Sequence, residues 1–303
     1  MSHLIDICIC TFRRPQVVET LESLRQLVIP EGVDARIIVI DNDETPSAQE
    51  RVQTIQLPFE IIYHHAPFGN ISIARNAALA AANGDYLAFI DDDETVSADW
   101  LEQLYQEAVQ SEADVVFGPA VAVYPEGTEE WMVAGDYHST KAPSNFQDIR
   151  TGCSANVLLR RGFHGLQGLQ FDLNLGRSGG EDTVFFYQLW SCGAVLRFAR
   201  DARVYENVAV KRLSLSWLLA RKVRAGQSYA RAVLLTASGA TKTRMSLLTK
   251  AIIKVAYCLF RATLSASDAS KRNSWLVRGA FHRGVVGKCF GRQEREFYGS
   301  NAG

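Results

Sequence analysis

The chain has 303 residues, 47% hydrophobic and 21% charged, with a formal net charge of −1. That length can bury a full core, and the composition excludes a disordered or collagen-like chain. No uncharged stretch reaches the ~18 residues of a membrane-spanning helix.

The near-neutral total hides two opposite halves. Residues 1–150 carry 8 Lys/Arg against 25 Asp/Glu, and residues 151–303 carry 24 against 8. Such polarity points to different partners for the two halves, with the basic tail suited to an anionic surface. The opening MSHLIDICICTF lacks a basic n-region and a small-residue cleavage site, so no secretory signal is read there. Six cysteines without a CxxC pair fit reduced thiols in the cytosol.

Residues 4–10 read as a buried strand, and Pro15 opens a helix carrying Val17, Val18, Leu21, Leu24 and Val28 at helical spacing. Residues 36–40 form a second strand ending at Asp41, and 60–63 a short third. Ser72 is placed to cap a helix through about Ala82, stopped by Asn83-Gly84. Tyr86–Ile90 is a fourth strand running into Asp91-Asp92-Asp93. Ser97 precedes a helix over 99–111, and 115–124 is extended. Strands alternating with helices, several of them apolar throughout, predict an α/β fold: a mostly parallel sheet covered on both faces. Ligands then bind beyond the carboxyl ends of the strands, where Thr11, Asp41 and Asp91–Asp93 lie.

Residues 125–150 read as a loop or lid, 156–160 as a strand, and TVFFYQLW as a helix opened by Glu181-Asp182. Late strands are expected at 194–198 and 202–205. Basic amphipathic helices follow at 214–235, 243–265 and 273–287. The domains predicted are an α/β domain of residues 1–210, in two parts at 1–124 and 125–210. A basic helical region occupies 211–303.

Three adjacent carboxylates repel one another, and a hard divalent cation such as Mg²⁺ or Mn²⁺ would relieve that repulsion. An acidic turn capping the next helix is the alternative. Asp41 at a strand end suits either a hydroxyl or base N–H, or plain turn chemistry. Arg75 opposes the dipole of the helix it starts, so it is a candidate phosphate or base contact as well as a surface ion-pair partner. Glu181-Asp182, after LGRSGG, is either a helix cap or a general base aimed into a cleft. The chain has no GxSxG, HExxH or P-loop.

These stretches, in this order, resemble family 2 glycosyltransferases of the GT-A fold. ICICTFRRP is similar to that family's first strand and turn, and IIVIDNDE to its second strand. GNISIARNAALAAANGDYLAFIDDDE is similar to its Ala-Arg-Asn helix and DxD strand. TGCSANVLLRR and FDLNLGRSGGEDTVFFYQL resemble its acceptor-side and catalytic segments. VYENVAVKRLSLSWLLARKVRAGQS and the terminal FYG resemble a bacterial subgroup that builds exopolysaccharide and lipopolysaccharide, including succinoglycan-type transferases. The QxxRW-type motif of processive synthases is missing.

The resemblance implies an inverting, metal-dependent transfer of a sugar from a nucleotide sugar, with UDP-sugars first, to a saccharide acceptor that is lipid-linked. Thr11, Arg13, Asp41, Arg75, Asp91 and Asp92 would hold the donor. Asp93, with Asp91, would bind Mn²⁺ or Mg²⁺. Asp182 would be the general base, with Glu181 beside it. Gly152, Ser154 and Asn156 would line the sugar site, and Glu206 is a further candidate ligand near the metal. The implied setting is cytoplasmic, peripheral on the inner membrane through the basic helices, with homodimer formation as the alternative use of those helices and no nucleic-acid partner. A nucleotidyltransferase and a non-catalytic saccharide-binding protein are the competing readings. The first lacks its glycine-rich basic loop.

Overall fold

A computed structural model of the chain describes residues 2–143, 145 and 149–292. Part of the expected 125–150 lid and the terminal FYG lie outside them. The described residues form two compact units, one of 2–121 with 139–206, the other of 122–138 with 207–292. The segment 122–138 therefore groups with the basic helices.

The first unit is built on a seven-stranded sheet. Its strands are β1 (His3–Thr11), β2 (Val33–Asp41), β3 (Ile61–His65), β4 (Tyr86–Asp91), β6 (Val115–Phe117), β8 (Asn156–Arg160) and β9 (Leu196–Phe198), in the order β3-β2-β1-β4-β8-β6-β9. The first four are parallel neighbours, and β8 runs antiparallel between β4 and β6. A second sheet has the order β5-β10-β7, formed by β5 (Glu94–Val96), β10 (Val204–Asn207) and β7 (Ala120–Val123).

Period-two alternation explains why the strands are apolar on both faces. Ile5, Ile7 and Ile9 of β1 pack with Trp100, Leu101 and Leu104 of α4 (Trp100–Gln110) and Val17 and Leu21 of α1 (Val17–Ser23). Cys8, Ile38 and Phe89 point the other way. They pack with Ala74 and Ala78 of α3 (Ile71–Ala81) and Phe185 and Phe186 of α6 (Glu181–Ser191). The covered sheet and the α/β class predicted above are thus observed.

Two local predictions change. Asn70, not Ser72, caps α3, accepting from the backbone N–H of Ser72 and Ile73. Ser72 lies inside the first turn and donates to the Asp172 carbonyl at 2.8 Å. The extended stretch at 115–124 is broken at Gly118-Pro119 into β6 and β7, because proline cannot donate to a ladder.

The second unit holds α5 (Glu130–Gly135), α7 (Leu215–Thr236), α8 (Ala240–Leu264) and α9 (Ala269–Cys289). Met132 of α5 packs with Leu218 and Val277. Glycines let α7 and α9 cross at backbone contact. A Cβ on Gly226 would meet the Phe281 carbonyl oxygen at 1.9 Å, and one on Gly284 the Val223 carbonyl oxygen at 1.9 Å. Alanine has the better helix propensity, yet here backbone must move. Gly226→Ala is expected to lower stability by about 1–3 kcal/mol. Urea unfolding followed by circular dichroism checks this, and an unchanged midpoint would contradict it.

Candidate active site

The strand register brings the acidic ends together. Thr11 lies opposite Asp41, and Cys10 opposite Asp91. The carboxyl ends of β1, β2 and β4 are therefore level at one edge of the sheet.

Arg75 ties this edge to α6. Asn70 and Asn76 fasten α3 to the 171–173 segment: the Asn70 amide donates to the Leu173 carbonyl, and Asn76 exchanges two bonds with the Phe171 backbone. Buried Arg75 then ion-pairs with Glu181 through one guanidinium nitrogen, and its other terminal nitrogen lies 3.6 Å from Asp91 Oδ1. Burial works against the Arg75 charge, but Glu181, Asp91 and Asp182 more than reverse this and raise its pKa.

Gly179 and Gly180 adopt φ of +82° and +88°, and this turn delivers Glu181 and Asp182 as the first residues of α6. Glu181 is buried on Arg75. Asp182 is half-buried and accepts from the Thr183 backbone N–H at 2.6 Å. Burial pushes both carboxyls up, while Arg75 pulls both down. The N-cap position itself is Gly180, so both carboxylates stand one and two residues inside the helix.

The acidic triplet divides by direction. Asp92 is buried, and Arg14 Nη1 donates to it at 3.0 Å and also pairs with Asp93. Burial pushes the Asp92 carboxyl up to about 7 against the pull of Arg14. Asp91 keeps the most exposed side chain of the three, at 42%, against 23% for Asp93 and 7% for Asp92. Arg13 takes a left-handed backbone, φ +58°, and donates to Asp43 at 2.8 Å.

Other predicted positions are braced within the fold. Asp41 is wholly buried. It accepts from the backbone N–H of Asp43 and Ala48 and from the Tyr63 hydroxyl, so it shapes the 41–48 loop. Asn156, predicted on the sugar site, is a correction. Its Oδ1 accepts from Trp100 Nε1, and its amide donates to the Pro119 and Ala202 carbonyls. At 2% exposure both of its amide hydrogens are spent on bonds within the fold. Gly152 sits on the Phe117 ring, where a Cβ would lie 2.2 Å from the ring edge. Among the described residues the buried Ser154 hydroxyl and Glu181 Oε2 have no hydrogen-bond partner.

The model for "Glycosyl transferase family 2" matches residues 6–165, just over half of the chain. The chain belongs to that family. This glycosyltransferase is 43% identical over 298 residues to the succinoglycan biosynthesis protein ExoM of Rhizobium meliloti, covering 98% of this chain and 96% of the relative. It is 27% identical over 244 residues to a glucosyl-dolichyl phosphate glucuronosyltransferase of Haloferax volcanii, covering 74% and 75%. Its fold is that of Staphylococcus aureus TarS residues 1–349, solved with UDP-GlcNAc, at a TM-score of 0.55 and 15% identity over 97% and 93% of the two chains. A second neighbour, GalNAc-T7 with UDP, GalNAc and Mn²⁺, has a TM-score of 0.55 at 16% identity, over 77% of this chain and 48% of that one. The GT-A expectation is thereby met, and the nucleotidyltransferase and non-catalytic readings fall.

Two residues of the transferase's site were missed from the sequence. Arg14 neighbours the assigned Arg13. Glu94 follows the triplet, is buried, and pairs across β5 and β10 with Glu206. Burial, then the charges of Asp91, Glu206 and Asp93, push Glu94 far above the ordinary carboxylate range. A hard divalent cation would relieve this crowding of carboxylates, although among the described residues no group of three or more His, Cys, Asp or Glu converges as a ready-made metal site.

Proposed function

We propose that this glycosyltransferase moves a hexose from a UDP-sugar, with inversion, onto a lipid-linked saccharide at the cytoplasmic face of the inner membrane, as a step of succinoglycan-type exopolysaccharide assembly. The observation that carries the reading is the Arg75 bridge between the acidic strand end and the Glu181–Asp182 pair, which puts a donor-side and an acceptor-side carboxylate in one cluster. The near-full-length likeness to a protein named for succinoglycan biosynthesis supports the setting, and the UDP-GlcNAc neighbour supports the donor class.

Thr11, Arg13 and the loop braced by Asp41 hold the nucleoside, and Asp91 with Asp93 faces the diphosphate. Asp93, with Asp91, would hold a divalent ion, which would supply positive charge against the departing diphosphate. Asp182, the more open of the pair, takes the proton from the acceptor hydroxyl. That oxygen bonds to the anomeric carbon as the carbon–phosphate-oxygen bond breaks, and UDP leaves with the bonding electrons. One displacement turns an α-linked donor into a β-glycoside. Glu181, neutralised by Arg75, orients the pair, and Gly152 with Ser154 lines the sugar side. The basic C-terminal helices bring the enzyme to anionic lipid.

Radiolabelled UDP-glucose, UDP-galactose and UDP-N-acetylglucosamine, each incubated with Mn²⁺ and lipid-linked oligosaccharide acceptors, test this. The expected result is label in a solvent-extractable glycolipid from one donor, in a bond cleaved by a β-glycosidase. An α-linked product would contradict inversion, and no product from any of the three would contradict the donor class.

A further inference from the structure

On α8, Ala251, Cys258 and Ala262 are buried, and they share the helix side turned to α9. The opposite side is apolar and open. Met245, Ile252, Ile253, Phe260 and Leu264 follow at helical spacing, each about half exposed or more. A surface helix of a globular protein usually reverses this pattern, and so long an exposed apolar stripe marks an interaction surface. Lys250, Lys254 and Arg261 follow along one flank of the stripe. On the other flank a groove of about 550 Å³ runs between α8 and α9, lined by Ile252, Val255, Leu259 and Val286, with Arg283 and Arg292 among its lining residues. Residues 207–292 hold 17 Lys/Arg and one Asp. No helix among the described residues is long and apolar enough to cross a membrane.

We propose that α8 lies flat in the headgroup boundary of an anionic bilayer, its apolar stripe inserted and the α8–α9 groove taking one acyl chain of an anionic lipid. The inference rests on the membrane reading above and names the element that performs it. Charge complementarity selects the occupant. Basic residues flank the stripe, so anionic lipid meets both sides while the lysine stems snorkel outward. A second copy of this strongly positive unit would bring like charge against like charge. At about 1.5 Å per residue, the 25 residues of α8 span some 37 Å of membrane surface.

The test is flotation of the full chain with phosphatidylcholine vesicles, with and without one-third phosphatidylglycerol. Three proteins are compared: wild type, Ile253→Glu/Phe260→Glu and Lys250→Gln/Lys254→Gln. Wild type is expected to float with anionic vesicles only. The apolar-face variant is expected to lose binding by about tenfold or more. The lysine variant is expected to lose several-fold at low salt, with a smaller difference at high salt. All four positions are exposed, so circular dichroism and melting temperature should match wild type. Wild type that fails to float overturns both the membrane reading and this inference. Wild type and apolar-face variant floating equally would overturn this inference alone. So would a wild-type dimer split by Ile253→Glu/Phe260→Glu, because a second copy would then cover the stripe.

Discussion

Asp182→Asn is expected to leave UDP-sugar affinity within about twofold of wild type and to lower the transfer rate by about 10³-fold, within the range for loss of a general base. The variant keeps the size of the side chain and the oxygen that accepts from the Thr183 backbone N–H, so the turn into α6 survives. What it removes is the basic oxygen. The pH profile carries a second signature. Burial raises the Asp182 carboxyl, over the pull of Arg75 and the bonds from Thr183. A base with a raised pKa is fully ionised only at higher pH. The acidic limb of the wild-type rate should therefore lie above the ordinary aspartate value of about 3.9, with activity falling as pH drops through it. Stopped-time assays from pH 4.5 to 8.5 on both proteins check this. Residual activity above a tenth of wild type, or a variant retaining the same limb, would move the base to another residue.

Arg75→Ala is expected to cost about 3–5 kcal/mol of stability, because it leaves Glu181 buried beside Asp182 with no counter-charge. Both side chains of the pair are under 10% exposed, so solvent cannot replace the guanidinium. The double variant Arg75→Met/Glu181→Leu removes both charges and should recover most of that loss while remaining inactive, since the acceptor pair and its link to Asp91 are gone. Urea titration of wild type and the two variants measures both the loss and the recovery. A single-variant loss below about 1 kcal/mol would mean that the bridge is not closed in solution.

The parallel core of the fold was legible because its strands are apolar runs ending in an acid. IIVID and AFID state both where a strand is and where it stops. The antiparallel insertion of β8 was not legible, since an apolar run carries no direction. β5 is three residues long, and its partner β10 lies about 110 residues later, so no strand was read after the acidic triplet and Glu94 stayed hidden. Asn156 was expected on the sugar side from the family resemblance alone, and only the convergence of Trp100, Pro119 and Ala202 shows that its side chain bonds within the fold. Arg13 and Arg14 are adjacent in sequence, but the left-handed backbone at Arg13 separates them. One goes to Asp43 and the other to the acidic triplet. Arg75 was named from the sequence, but that it joins Glu181 to Asp91, and that Arg14 holds Asp92 and Asp93, required the fold.

Calorimetric titration of UDP, with Mn²⁺ and with EDTA, into wild type and Asp93→Ala tests the central claim most directly. The account predicts Mn²⁺-dependent binding to wild type that Asp93→Ala loses by at least tenfold, the weakening seen when a carboxylate that completes a shared metal site is removed. Equal binding of UDP in EDTA and in Mn²⁺, or Mn²⁺-dependent binding unchanged in Asp93→Ala, would contradict it.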